Sequence, residues 1–316
     1  MNTSSLVSIL MPAYNAEKFV AQAINSILTQ DYSNWELLIL DDASTDGTDE
    51  VIASFNDSRI HIFHHSENRG YLLSCNELFK KATGGFITFL DADDSCSASR
   101  LSICLNAFEK DANLEFLTTA HSKITDSGKT ISNQFIEIDY KKYATDPNYC
   151  PTICCATTFV KKELLDGVGG YRPLFKKIGA EDYFWLWELS RNGKGKHLNK
   201  SLYDYRSHTN QTSNVHDDEL YLFTPELIKT LRFEFRDLPW NDNKAENFVQ
   251  SIREQFEFSG FQINLRKAQN SLNRGHGHFW NYALKCLRNI RDFNQIKPYF
   301  YLLYSWLIRK GRSANQ

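Results

Sequence analysis

The sequence predicts an α/β protein with a mostly parallel sheet flanked by helices, and three observations carry that reading. Short apolar runs alternate with amphipathic stretches through the first hundred residues, the pattern of strand–helix units whose sheet is covered on both faces. Each apolar run ends in polar or acidic residues, so one rim of the sheet collects them at the carboxyl ends of the strands, where such sheets bind ligands. Beyond about residue 215 only helical patterns follow, predicting a helical C-terminal extension.

Residues 6–11 (LVSILM) form an apolar run stopped by Pro12 and predict a buried strand. Residues 16–29 carry Val20, Ala23, Ile24, Ile27 and Leu28, one apolar helical face. A second strand is predicted at 35–40, a short helix at 48–55 and a third strand at 59–64. A helix at 70–82 places Leu73, Leu78 and Phe79 toward the core; Gly84 and Gly85 punctuate, and a fourth strand follows at 86–90. A helix at 99–110, strands at 116–120 and 153–160, an excursion at 126–133, a helix at 181–191 and an extended stretch at 196–206 complete the first two thirds. Helices are expected at 219–233, 245–258, 279–293 and 299–309.

Among 316 residues, 36 Lys and Arg face 38 Asp and Glu, a net charge of -2 that speaks against a nucleic-acid partner. Aromatics reach 14%, enough to build a core and leave rings for ligands. The first residues lack the basic start and long apolar run of a secretory signal, and no window is long enough to span a bilayer, so the expected location is the cytoplasm. The seven cysteines are then expected as reduced thiols; Cys150, Cys154 and Cys155 lack paired metal-knuckle spacing.

The chemistry concentrates in FLDADD (89–94). Three carboxylates in four residues repel one another unless something positive lies among them, and a hard divalent cation with oxygen ligands, Mg²⁺ or Mn²⁺ carrying a diphosphate, is the natural counterion. Taken alone, an acidic turn capping the following helix explains the motif as well. Asp41-Asp42 ends another strand, where a carboxylate can accept from a base or ribose or cap the next helix. Glu181-Asp182 opens an aromatic-rich helix, where a carboxylate can act as general base or simply favour the helix N-terminus.

These residues together resemble the family 2 glycosyltransferases with the GT-A (nucleotide-diphospho-sugar transferase) fold. The resemblance covers about residues 6–215 and rests on VSILMPAYNAEKFVAQAINSILTQ (7–30), WELLILDDASTDGT (35–48), ENRG (67–70), GGFITFLDADD (84–94), AEDYFWLWELSRNG (180–193) and YRSHTNQTS (205–213). It implies a catalytic domain over 1–215, with a nucleotide-sugar half to about 110 and an acceptor half beyond, followed by a helical region over 216–316. Pro12, Ala13 and Tyr14 match the segment flanking the nucleotide base, with Glu17 beside it, and Asp42 matches the carboxylate that reads a uracil or thymine ring. Asp93 matches the ribose and diphosphate contact and Asp94 the metal ligand, with Asp91 completing the motif. Asp182 matches the catalytic base, with Glu181 beside it; Arg206 and His208 match a late segment that touches the diphosphate or the metal. Asn68 lies in the ENRG segment. Cys75 stands where the family often has an arginine, so Arg69 or Arg100 is expected to supply that cation; Ala98 and Ser99 replace a usual proline with little chemical effect.

The resemblance implies a nucleotide-sugar donor, an inverting displacement, Mn²⁺ or Mg²⁺ as cofactor and a glycan or lipid-linked acceptor. Two rivals are a non-catalytic nucleotide-sugar-binding protein, which would lack one of Asp42, Asp94 or Asp182, and a nucleotidyltransferase, which would open with a glycine-rich basic loop where this chain has MPAYNAEKF. Residues 298–312 (PYFYLLYSWLIRKGR) combine aromatic and basic groups suited to peripheral contact with the inner membrane face; packing on the catalytic domain or a homo-oligomer contact is the competing reading, and packing is favoured. His276 and His278 are read as loop residues rather than ligands.

Overall fold

A computed structural model describes residues 5–208 apart from 178, residue 211, residues 224–255 apart from 239, and residue 268. Its first half is the predicted series of strand–helix units: β1 (Val7–Ala13), α1 (Val20–Leu28), β2 (Trp35–Asp41), α2 (Thr48–Ala53), β3 (Ile60–His64), α3 (Tyr71–Lys81) and β4 (Phe86–Phe89). The strands pair in parallel in the order β3-β2-β1-β4. Every residue of β1 and β2 is buried, which is why these strands read as continuous apolar runs rather than alternating ones. Helix α1 buries Val20, Ala23, Ile24 and Ile27, the face its spacing predicts.

The second half converts the sheet into a mixed one. It contains β5 (Ser95–Cys96), α4 (Arg100–Lys110), β6 (Phe116–Ile124), β7 (Thr130–Gln134), α5 (Tyr140–Thr145), β8 (Phe159–Lys161), α6 (Lys162–Val168), α7 (Glu181–Asn192) and β9 (Gly195–Arg206). β8 runs antiparallel to both β4 and β6, while β9 lies parallel to β6 and antiparallel to β5. The full order is β3-β2-β1-β4-β8-β6-β9-β5, with β7 paired to β6. The excursion expected at 126–133 is the turn and return strand of that β6–β7 pair. The strand expected over 153–160 is instead a 3₁₀ turn, Cys155–Thr157, followed by the short β8. The hydroxyls of Thr157 and Thr158 donate to the carbonyls of Cys154 and Cys155 at 2.7 and 2.6 Å, a local alternative to the sheet ladder.

Two interior features fix the frame beneath the site. An aromatic cluster of Phe79, Phe89, Tyr171 and Trp185 joins α3, β4 and α7, with Tyr171 and Trp185 edge to face at 5.5 Å. At the opposite strand ends, Glu36 is buried in β2 and accepts from Ser8 Oγ (2.5 Å), Thr83 N (2.8 Å) and Thr83 Oγ1 (2.9 Å). Burial opposes its ionisation, yet these bonds outweigh it and hold its carboxyl below the usual range.

Toward the C-terminus, two more helices span Thr224–Glu234 and Asp242–Gln255. Ile228–Trp240 groups with residues 1–208 as one compact unit; residues 209–227 and 241–316 form another. Within the first unit, Arg232 is fully buried and donates to the carbonyls of Tyr143, Asp146 and Tyr149, while Trp240 packs on Phe184 at 4.7 Å. The expected helices at 279–293 and 299–309, the aromatic-basic stretch 298–312, and His276 and His278 lie outside the described residues. Among the described residues, no helix is long and apolar enough to cross a membrane.

Gly84 N donates to Ser8 Oγ at 2.8 Å, and a Cβ on Gly84 would lie 2.6 Å from Leu6 O and 2.8 Å from Ser8 N. Backbone atoms cannot yield as a side chain can. Gly84→Ala should therefore destabilise the protein by about 1–3 kcal/mol, read as a lower denaturant midpoint with an unchanged slope.

Candidate active site

One side of the rim is built by stitching the loop after β1 to the loop after β2. Asp42 N donates to Ala13 O (2.8 Å), Thr45 N to Asn15 Oδ1 (2.8 Å) and Ala16 N to Thr48 Oγ1 (2.8 Å). Glu17 braces the same junction: its Oε2 accepts from Gly47 N at 3.1 Å, and a Cβ on Gly47 would meet its carboxylate at 2.8 Å. Pro12 and Ala13 are buried at the end of β1, whereas the Tyr14 ring is 49% exposed. Asn15 and Ala43 both take positive φ, 48° and 58°, to make the two turns.

Asp42 is buried, and its carboxylate organises the next strand end. Oδ1 accepts from Arg69 N (2.9 Å) and pairs with His65 Nδ1 (2.6 Å), while Oδ2 accepts from Gly70 N (2.7 Å). The far side of the His65 ring pairs with Glu77 Oε2 at 2.9 Å. Burial pushes Asp42 up, but the Arg69 and Gly70 amides and His65 win and hold it below the usual range. Burial likewise opposes the His65 imidazolium, and the two carboxylates override it and raise its pKa. Asn68 and Arg69 are exposed beyond this clamp, with Arg69 Nη1 3.6 Å from Glu77.

The acidic turn is held from behind by Arg206, itself 1% exposed. Its backbone N–H donates to Asp94 Oδ1 at 2.7 Å, and its Nε donates to Asp93 O at 2.6 Å. Its remaining nitrogens donate to Thr125 O (3.1 Å), Asp126 O (2.7 Å) and Gln22 Oε1 (2.7 Å). His208 Nε2 meets Asp93 Oδ2 at 2.9 Å, with its ring 4.9 Å from that of Phe19. Asp94 is 1% exposed, and among the described residues its Oδ2 has no hydrogen-bond partner. Burial, with Asp93 and Asp91 close by, pushes Asp94 well above the carboxylate range. Arg100 is fully buried and donates to Phe89 O (2.8 Å), Thr88 Oγ1 (2.8 Å) and Ala156 O (3.2 Å). The guanidinium groups of Arg100 and Arg206 thus face backbone and neighbouring side chains, and Arg69 is the expected cation left at the surface.

Helix α7 begins after Ala180 at φ 61°, with Glu181 and Asp182 in its first turn. Asp182 Oδ1 accepts from Tyr183 N at 2.7 Å. Tyr171 is fixed beside them by a reciprocal pair with Asn76, whose Nδ2 donates to Tyr171 O and whose Oδ1 accepts from Tyr171 N, both at 2.7 Å. Tyr71 Oη donates to Asp91 Oδ1 at 3.2 Å. Tyr71 is exposed, and Asp91, Glu181 and Asp182 are half-buried. Burial and Asp93 push Asp91 up to about 7, with the Asp182 charge contributing. Burial and Asp182 push Glu181 up to about 8, and burial raises Asp182. His65, Glu77, Tyr71, Asn76, Tyr171 and Gln22 were not legible as site residues, because each acts through a partner far away in sequence.

A parallel half-sheet whose strand ends carry Asp42 and the acidic turn, extended by a mixed half, is the architecture of a GT-A glycosyltransferase fold. The chain belongs to glycosyl transferase family 2, whose model matches residues 8–169. It is 35% identical over 191 residues to the Escherichia coli UDP-Glc:alpha-D-GlcNAc-diphosphoundecaprenol beta-1,3-glucosyltransferase WfgD, covering 59% of this chain and 71% of that one. It is 30% identical over 210 residues to Escherichia coli chondroitin synthase, covering 66% of this chain and 30% of that longer one. The crystal structure of S. aureus TarS 1-349 in complex with UDP-GlcNAc shares the fold at a TM-score of 0.60 and 16% identity, covering 95% of this chain and 80% of that chain.

The raised Glu181 carboxyl has a consequence for stability. Its folded pKa of about 8 lies above its ordinary 4.5, so the native state holds a proton that the unfolded chain releases between those values. Stability should fall as pH rises through that window. Glu181→Gln removes the penalty, so its melting temperature should exceed wild type at pH 9 and converge with it near pH 4.5. Parallel melting curves at both pH values would contradict the assignment.

Proposed function

We propose that the chain moves a sugar from a uridine-diphosphate donor to an acceptor hydroxyl, with inversion at the anomeric carbon. The observation that carries the reading is a pair of carboxylate centres with different surroundings, close enough that the Asp182 charge helps raise Asp91. Asp94 is locked by Arg206 with one oxygen unpartnered among the described residues, while Asp182 and Glu181 stand at a helix start.

The residues present fit a divalent cation. Among the described residues no three side chains gather into a ready-made cage. Mg²⁺-type sites commonly use one or two carboxylates and complete their shell with substrate phosphates. Asp94 would hold the ion through its unpartnered oxygen, with Asp93 and His208 alongside. When bound, Mn²⁺ or Mg²⁺ supplies positive charge to the departing nucleoside diphosphate.

The chain's own groups do the rest. Tyr14 offers an exposed ring beside Pro12 and Ala13 for the base, and Asp42 reads the base edge from a position fixed by the Arg69 and Gly70 amides. Glu17 and Arg206 act as positioning residues, one for the rim and one for the acidic turn; Asn68 and Arg69 border the diphosphate path. Asp182 accepts the proton of the acceptor hydroxyl as that oxygen attacks C1 of the donor sugar and the nucleoside diphosphate departs, with Glu181 beside it. Burial raises Asp182, which brings a carboxylate closer to the working pH of a general base. The relative WfgD, by its name, glucosylates a GlcNAc-diphosphoundecaprenol. That supports a lipid-linked or cell-surface glycan acceptor met at the cytoplasmic face of the membrane.

Asp182→Asn keeps size and most hydrogen bonding but removes the base. Donor affinity should persist while sugar transfer drops by ~10²–10⁴-fold. Near-normal turnover in this variant would move the base elsewhere, with Glu181 first in line.

A further inference from the structure

Tyr71 stands apart from the core of its own helix. The core-facing positions of α3 are Leu72, Cys75, Leu78 and Phe79, all buried, whereas the Tyr71 ring is 36% exposed. One face of that ring is backed by Tyr171, with centroids 6.5 Å apart and planes 20° from parallel. Tyr171 is 4% exposed and is pinned by Asn76 through two 2.7 Å hydrogen bonds. The Tyr71 hydroxyl donates to Asp91 Oδ1 at 3.2 Å, so the ring is tied at one edge as well. The result is a braced, partly exposed aromatic surface tied to the acidic turn, with the Asp182 charge nearby.

We propose that Tyr71 is the platform for the pyranose ring of the donor, stacking on the apolar face of the transferred sugar while its hydroxyl orients Asp91 toward that sugar's own hydroxyls. This rests on the reading of the cleft as a uridine-diphosphate-sugar site and deepens it by assigning the sugar subsite. Pyranose rings present an array of C–H groups on one face, and a fixed aromatic ring meets such a face at little entropic cost. The donor sugar, rather than the acceptor, belongs here because it is tethered to the diphosphate. Asp91 lies on the same turn as Asp94, whose unpartnered oxygen marks the diphosphate end. The acceptor then approaches from the Asp182 side.

The test compares wild type, Tyr71→Phe and Tyr71→Ala by calorimetric titration in Mn²⁺ with UDP, UDP-glucose, UDP-galactose and UDP-N-acetylglucosamine. The readout is the affinity for the best-bound UDP-sugar relative to UDP. Tyr71→Ala should lower that ratio by about two- to tenfold with UDP affinity unchanged, which also shows that the variant is folded. Tyr71→Phe keeps the ring and should stay within about twofold of wild type. A ratio unmoved in Tyr71→Ala, an equal loss for UDP and UDP-sugar, or a wild type that binds UDP but no UDP-sugar overturns the platform. A wild type that fails to bind UDP contradicts the donor reading instead, and the platform falls with it.

Discussion

The site depends on how three carboxylates are held at the end of one buried strand. Asp91, Asp93 and Asp94 would spread apart or protonate if nothing restrained the turn. Arg206 restrains it from the interior, with its backbone amide on Asp94, its Nε on the Asp93 carbonyl and its other nitrogens on 125, 126 and Gln22. The guanidinium satisfies backbone carbonyls and leaves the carboxylate oxygens unpaired by it. Among the described residues Asp94 Oδ2 is therefore buried with no partner, a costly arrangement that a bound cation would relieve. Arg100 acts in the same way deeper in the sheet, fixing Phe89 and Thr88 at the end of β4.

The two halves of the sheet divide the labour. The parallel half, β3-β2-β1-β4, delivers the loops that form one side of the rim, and the Asp42–His65–Glu77 chain ties the loops after β2 and β3 to helix α3. The mixed half brings β9 beside β6, so that Arg206 and His208 reach the acidic turn from more than a hundred residues away. The aromatic cluster of Phe79, Phe89, Tyr171 and Trp185 connects the two and fixes the start of α7 relative to β4. The distance between the Glu181-Asp182 pair and the acidic turn is thus set by rigid packing, as the proposed catalytic roles require.

Much of this was legible in the sequence where the information is local. The four parallel strands, the α1 face and the acidic turn follow from runs and periods of a few residues. The mixed half was harder because its strands are short and paired across long gaps: β5 has two residues, and β8 has three that follow a turn made by threonine hydroxyls. The orientation of Arg100 and Arg206 was not legible either. An arginine beside an acidic motif reads as a ligand contact, and only burial shows that both guanidinium groups are spent on backbone carbonyls and neighbouring side chains. His65 shows the reverse: it sits in a plain-looking HHSENRG stretch, and its role emerges only from its two carboxylate partners.

The central claim is that the bare oxygen of Asp94 is the cation site through which a nucleoside diphosphate is held. The most direct measurement is calorimetric titration of UDP into wild type and Asp94→Asn, each with Mn²⁺ and with EDTA. The account predicts that Mn²⁺ strengthens UDP binding to wild type and has no effect on Asp94→Asn, while both proteins bind equally weakly in EDTA. The same Mn²⁺ dependence in the two proteins would contradict it.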